Sequence, residues 1–177
     1  TQALIDERIK NNAPPLESFT PQELRALRAK MAETPAELRI DISNVDDFYI
    51  KGSLGPIKVR KYSNNLSELP DIKNPLIIYF HGGGFVMGDL ESHDLVCRHL
   101  CKETDATIIA VDYKLAPENK FPASITDAKD AIAEIINDAD NLQIDKEKVI
   151  LCGDSAGGAL AAVGTIMSRD KIIPKIH

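Results

Sequence analysis

The stretch Val149 to Leu160, reading VILCGDSAGGAL, constrains the fold of this chain more than any other. Val149, Ile150, Leu151 and Cys152 form an apolar run with β-branching at its start, the pattern of a buried strand. The run stops at Gly153. From Ala156 onward small residues dominate, which suits a helix lying very close to a neighbour. Between the two sits G-x-S-x-G, as Gly153, Asp154, Ser155, Ala156 and Gly157. On a sharp strand-to-helix turn this pattern exposes a serine hydroxyl, with the free N–H groups and positive end of the helix behind it. The plainer reading is a glycine-rich turn whose serine caps the helix. The strand before it and the small-residue helix after it favour a nucleophile.

The 177 residues suffice for one domain with a real core, and 44% hydrophobic with 27% charged residues is ordinary globular composition. A net charge of −6, without any basic run, argues against a nucleic-acid partner. No apolar stretch reaches membrane-spanning length, and no signal pattern opens the chain. Cys97, Cys101 and Cys152 make no disulfide framework and read as reduced core thiols of a cytoplasmic protein. Histidines do not fall at ligand spacing around them, so no metal site is expected.

Residues 1–35 read as two helices joined by the loop at 11–15. The second has Thr20 as N-cap, Pro21 at the first helical position and Glu23 completing a capping box, with Phe19 and Leu24 placed for a hydrophobic staple. Leu24, Leu27 and Met31 form its apolar stripe. Residues 45–62 read as a hairpin with Ser53–Pro56 as the turn. From Pro75 the pattern changes to buried strands and helices in alternation. Leu76–Phe80, Thr107–Val111 and Val149–Cys152 are the strands. A helix capped by Ser92, with Leu95, Val96 and Leu100 inward, a second over Ser124–Asn137 and a third from Ala156 to about Arg169 complete the pattern. Such alternation predicts an α/β fold, a mostly parallel sheet with helices on both faces.

A second constellation, His81-Gly82-Gly83-Gly84-Phe85, follows the most apolar strand. Three successive glycines are entropically costly and need a reason, such as bare backbone N–H groups approaching a ligand's negative charge. The dinucleotide pattern G-x-G-x-x-G fails because Met87 takes the place of its third glycine, and no phosphate-binding P-loop is present, so no cofactor is expected. A loop of this type is instead the oxyanion partner of a G-x-S-x-G turn.

With HGGGF in Leu76–His93, DYKLAPENKFPA in Asp112–Ala123 and GDSAGG in Gly153–Gly158, the chain resembles the hormone-sensitive-lipase-like branch of the α/β-hydrolases. The resemblance implies the N-terminal part of an α/β-hydrolase fold, with residues 1–35 as cap helices and 36–177 as part of the catalytic domain. It implies a serine carboxylesterase or lipase preferring short- to medium-chain acyl esters. Ser155 would be the nucleophile, and the N–H groups of Gly83, Gly84 and Ala156 the oxyanion hole. His81 and Gly82 would shape the loop. Asp154 would brace the turn, and Asp112, Glu118 and Asp127 the loops around it. His93 and His99 are expected on a solvated helix surface. Lys114 departs from the family's usual arginine, and Cys152 from its usual serine or alanine.

In this fold the triad runs Ser, then Asp or Glu, then His. After Ser155 only Asp170 and His177 have the chemistry, and Asp170 is roughly 20 Å along a helix that starts at the serine. Neither completes the relay. Three readings stay open: an esterase whose triad Asp and His come from sequence outside this chain, a non-catalytic small-molecule-binding module, and an inactive truncated remnant. The Val149–Cys152 strand is expected to need a missing C-terminal segment or another chain beside it, and a homo-oligomer is one way to provide it.

Overall fold

The computed structural model describes residues 18–31, 40–64 and 73–176, with isolated positions 2, 6, 10, 14, 15 and 38. The first expected N-terminal helix lies almost wholly outside the described residues. Helix α1 is Pro21–Met31, and the capping box in front of it forms. The Thr20 amide and hydroxyl donate to Glu23 Oε2 at 2.7 and 2.8 Å, and the Glu23 amide donates back to Thr20 Oγ1 at 3.2 Å. The apolar stripe does not bury the helix, since Leu27 remains 43% exposed.

Strands β1 (Asn44–Ile50), β2 (Ile57–Ser63), β3 (Asn74–Phe80), β4 (Thr107–Asp112) and β5 (Ile144–Gly153) form one sheet in the order β1-β2-β4-β3-β5. The hairpin turn closes with the Gly55 amide on the Gly52 carbonyl at 3.1 Å, which sets Phe48 opposite Val59 and Ile50 opposite Ile57. β2 is antiparallel to both β1 and β4, whereas β3 runs parallel to β4 and β5. Four of the five strands therefore point the same way. The period-two alternation of strand side chains divides the core. Ile57, Val59, Leu76, Ile78, Phe80, Ile109 and Val111 meet α3 (Ala123–Asn137) and α4 (Ala156–Arg169) on one face. Tyr62, Ile77, Tyr79, Ile108 and Ala110 meet α2 (Asp94–Thr104) on the other.

Two expectations about α2 are corrected. Ser92 does not cap it; the Asp89 amide donates to Ser92 Oγ at 3.0 Å and the Ser92 amide to Asp89 Oδ1 at 2.7 Å, closing a turn ahead of the helix. Cys97 and Cys101 form the buried centre of the inward face, with Leu100 packed partly buried beside them as expected, while Val96 is exposed. Small thiols allow the helix to lie close to the sheet, and His93, one turn before Cys97, is carried inward with them. β5 also differs from a strand buried on both sides. It is an edge among the described strands, and Ile150 on it is 58% exposed.

Candidate active site

The parallel register sets Phe80, at the end of β3, beside Gly153, at the end of β5. The loops that leave the two strands therefore emerge together. Ser155 begins the turn into α4 with φ 50° and ψ −116°, a conformation that strains a non-glycine residue by about 1–3 kcal/mol. Its side chain makes no capping hydrogen bond and the residue is exposed. The plainer reading of Ser155 as a helix cap thus lacks its defining contact. Gly157 lets α4 come this close: a Cβ there would stand 2.5 Å from the Phe80 carbonyl carbon and 2.7 Å from the His81 oxygen.

Asp154 ties the turn to the glycine loop. Its Oδ1 accepts the Tyr79 hydroxyl at 2.8 Å and the Gly82 amide at 2.8 Å, and His93 Nε2 stands 3.4 Å away. Burial by itself would raise this carboxyl. The Tyr79 hydrogen bond, the His93 charge and the Gly82 amide outweigh it and hold Asp154 below the ordinary 3.8. His93, expected on a solvated surface, is only 5% exposed and sits between Ser92 Oγ, 3.0 Å from Nδ1, and Asp154. The i, i+4, i+8 spacing of His93, Cys97 and Cys101 was the available signal. His99, by contrast, is exposed as expected.

His81 is buried against Tyr113, with ring centroids 4.3 Å apart and planes 14° from parallel. Its Nδ1 lies 2.9 Å from the Gly82 oxygen; a carbonyl only accepts, so the ring proton is on Nδ1. Burial pushes His81 down, although the Gly82 bond opposes it. A neutral, enclosed imidazole with this tautomer fits a loop-shaping residue. Tyr113, whose phenol burial pushes up, donates to the His81 carbonyl at 2.6 Å and fixes the loop from below.

These contacts orient three amides, because C=O and N–H point in opposite directions across a trans peptide unit. The Gly82 carbonyl faces His81 Nδ1, so the Gly83 N–H points away from that ring. The Gly83 carbonyl accepts the Val86 and Met87 amides at 3.1 and 2.9 Å, so the Gly84 N–H points out of the turn. Positive φ at Gly83 (128°) and Gly84 (63°) makes this path possible. The Ser155 carbonyl accepts the Ala159 amide at 3.1 Å, so the Ala156 N–H points out of the start of α4. Among the described residues, none of the three amides donates elsewhere.

Two of the surrounding carboxylates, Asp127 and Glu118, pair with cations. Buried Asp127 accepts the Lys114 amide at 2.9 Å and stands 3.4 Å from Lys114 Nζ, so lysine serves where the family usually has arginine. Glu118 pairs with Arg25 of α1, an anchor that sequence reasoning did not single out. Burial raises the carboxyl of Asp112. Asp170 caps the end of α4 opposite Ser155, and His177 lies outside the described residues. A cavity of about 610 Å³ opens at that far end, among Thr165, Ser168, Arg169, Ile173 and Ile176, with none of the candidate catalytic groups in its wall. No group of His, Cys, Asp and Glu among the described residues could hold a metal ion. No helix among them is long and apolar enough to cross a membrane.

A family model described as the alpha/beta hydrolase fold matches residues 77–177. The chain is 39% identical over 154 residues to the esterase LipI of Mycobacterium tuberculosis, covering 86% of this chain and 48% of that protein. It is 34% identical over 154 residues to an arylesterase of Saccharolobus solfataricus, covering 86% and 49%. Among solved structures, an esterase of Pyrobaculum calidifontis superposes with a TM-score of 0.82 at 39% identity, covering 91% of this chain and 52% of that one. The chain thus spans about half the length of the relatives it matches.

Proposed function

Because the chain belongs to the α/β-hydrolase fold family, in its hormone-sensitive-lipase-like branch, we propose that it is the nucleophile-bearing part of a serine carboxylesterase. The substrates are short- to medium-chain acyl esters. Ser155 Oγ attacks the ester carbonyl carbon as its proton passes to a histidine base. The negative charge that develops on the carbonyl oxygen is taken by the N–H groups of Gly83, Gly84 and Ala156, each such donor lowering the barrier by roughly 3–4 kcal/mol. The intermediate collapses, the alcohol leaves with a proton from the histidine, and an acyl group remains on Ser155. Water then attacks that acyl group by the same route and releases the acid.

The observation that carries this reading is the Ser155 backbone, strained at positive φ without a capping bond, beside a glycine loop whose amides face outward. The triad Asp and His come from sequence beyond these 177 residues, packed along β5; the exposed Ile150 edge and the double length of the relatives support this. Residues 1–35 form the cap over the site, residues 36–177 contribute the N-terminal part of the catalytic domain, and the enzyme works in the cytoplasm without a cofactor.

The test uses the full-length protein and its Ser155→Ala variant. A fluorophosphonate probe should label the first and not the second, with a mass increase on the peptide that contains Ser155. Short acyl p-nitrophenyl esters should turn over faster than long-chain triglycerides. Wild-type protein that neither labels nor hydrolyses, but binds small apolar esters, would move the assignment to a binding module.

A further inference from the structure

Arg25, on α1, hydrogen-bonds both the turn of the glycine loop and the loop after β4. Its Nε donates to the Val86 carbonyl at 2.7 Å. Its Nη2 donates to the Ala116 carbonyl at 2.7 Å and to Glu118 Oε2 at 2.8 Å, and Nη1 donates to Glu118 Oε1 at 2.9 Å. The two loops are also joined directly, by the Ala116 amide on the Phe85 carbonyl at 2.8 Å. The fork and planarity of a guanidinium allow one group to meet a carboxylate and two carbonyls; a lysine ammonium has no such fixed geometry.

The peptide that Arg25 grips is connected to the candidate chemistry. The Val86 carbonyl and the Met87 N–H belong to one planar unit and point in opposite directions. With its oxygen held by Arg25, this unit presents the Met87 N–H to the Gly83 carbonyl, 2.9 Å away. That carbonyl in turn shares a planar unit with the Gly84 N–H. Two rigid peptides therefore link the guanidinium to the Gly84 amide.

We propose that Arg25 is a positioning residue for the glycine loop, holding the Val86–Met87 peptide so that the Gly84 N–H keeps its outward aim. This rests on the reading of Gly84 as an oxyanion donor. Glu118 orients the fork but is not the part that matters to the loop. The Glu118 carboxyl, held at about 2 first by its hydrogen bond with Arg25, stays ionised across the working range.

The test compares Arg25→Ala, Arg25→Lys and Glu118→Gln in the full-length protein, by amide hydrogen exchange and by ester kinetics. In Arg25→Ala the Val86 and Met87 amides should exchange about tenfold faster, with the core strands unchanged. Its kcat for a short acyl p-nitrophenyl ester should fall about tenfold with KM within about twofold, as expected when a transition-state contact is loosened. Glu118→Gln should change either quantity by less than about threefold. Should Arg25→Ala fail to fold, Arg25→Lys, which keeps the charge and loses the fork, gives the same reading.

Unchanged exchange at Val86 and Met87 in Arg25→Ala would overturn the proposal. So would faster exchange with unchanged kcat, or Glu118→Gln matching Arg25→Ala, which would make docking of α1 the whole effect. If the wild-type protein hydrolyses no ester, the assignment of Ser155 falls while the exchange arm still decides whether Arg25 holds the loop.

Discussion

Gly157 is a position in α4 where one added methyl group should do severe harm. It sits in the first turn of α4, against the end of β3. A Cβ at 157 would lie 2.5 Å from the Phe80 carbonyl carbon and 2.7 Å from the His81 oxygen, and closer still to the Phe80 oxygen. Non-bonded carbon atoms rest about 3.5–4.0 Å apart, so α4 would have to retreat from β3 by roughly 1 Å. The opposing atoms are backbone, Phe80 held in the sheet and the His81 carbonyl held by the Tyr113 hydroxyl, so neither can rotate away. Overpacking of an adjustable core costs about 1–3 kcal/mol, and a clash with fixed backbone belongs at or above the top of that range. Gly158 is the control. A Cβ there would meet the Gly153 oxygen at 3.2 Å, which a few tenths of an ångström relieve, and the Gly153 carbonyl carbon at an ordinary 3.8 Å. Against that small strain stands a helix-propensity gain of up to about 1 kcal/mol for alanine. Gly157→Ala is therefore expected to lose about 3 kcal/mol or more, lowering Tm by about 6–12 °C, while Gly158→Ala stays within about 1 kcal/mol of wild type. Urea and thermal unfolding of the two variants measure the difference. Equal stabilities for the pair would refute the claim that close approach of α4 to β3 is what demands glycine at 157.

Three further outcomes are expected. Ser155→Gly should abolish ester hydrolysis yet unfold no more easily than wild type, and up to about 2 kcal/mol less easily, since glycine removes the positive-φ strain and gives back part of the gain as unfolded-chain entropy; denaturant midpoints test this. Asp47 is held at about 2, below its ordinary 3.8, by hydrogen bonds from Arg60 first and then Lys58, against the opposing effect of burial. A depressed folded value means that its contribution is complete above about pH 4 and lost as pH falls toward 2, so urea midpoints between pH 5 and pH 2 should fall less steeply in Asp47→Asn than in wild type. Cys97 and Cys101 are both buried, and burial pushes the Cys97 thiol up and that of Cys101 up to about 11; a thiol reagent should modify them no faster than the protein unfolds.

Several parts of this protein could be read along the chain because their causes are local. The capping box at Thr20 and Glu23 joins residues three positions apart, and the bounds of α4 follow from the G-x-S-x-G turn at one end and the loss of apolar periodicity at the other. The hairpin register follows from its turn, and the continuous apolar runs Leu76–Phe80 and Thr107–Val111 mark the strands around which the core is built. The face of α2 was misread at Val96 and at the two cysteines for the complementary reason. Leucine and valine are bulkier apolar side chains than cysteine, but the closeness of the sheet decides that Cys97 and Cys101 fit inward and that His93 follows them to Asp154.

The contacts that hold the candidate site together were equally beyond the sequence. The Gly82 amide meets Asp154 across 72 positions, and Arg25 meets Glu118 across 93. Their partners become neighbours only because β3 lies between β4 and β5 and its register sets Phe80 beside Gly153. Sequence by itself determined which peptide groups could take up strained, outward-facing geometry, since that depends on glycine and on a few adjacent residues. Where those groups are aimed, and what holds them there, came from the tertiary structure: strand order and loop closure decide which hydrogen-bonding groups meet across such distances, and no local pattern records that choice.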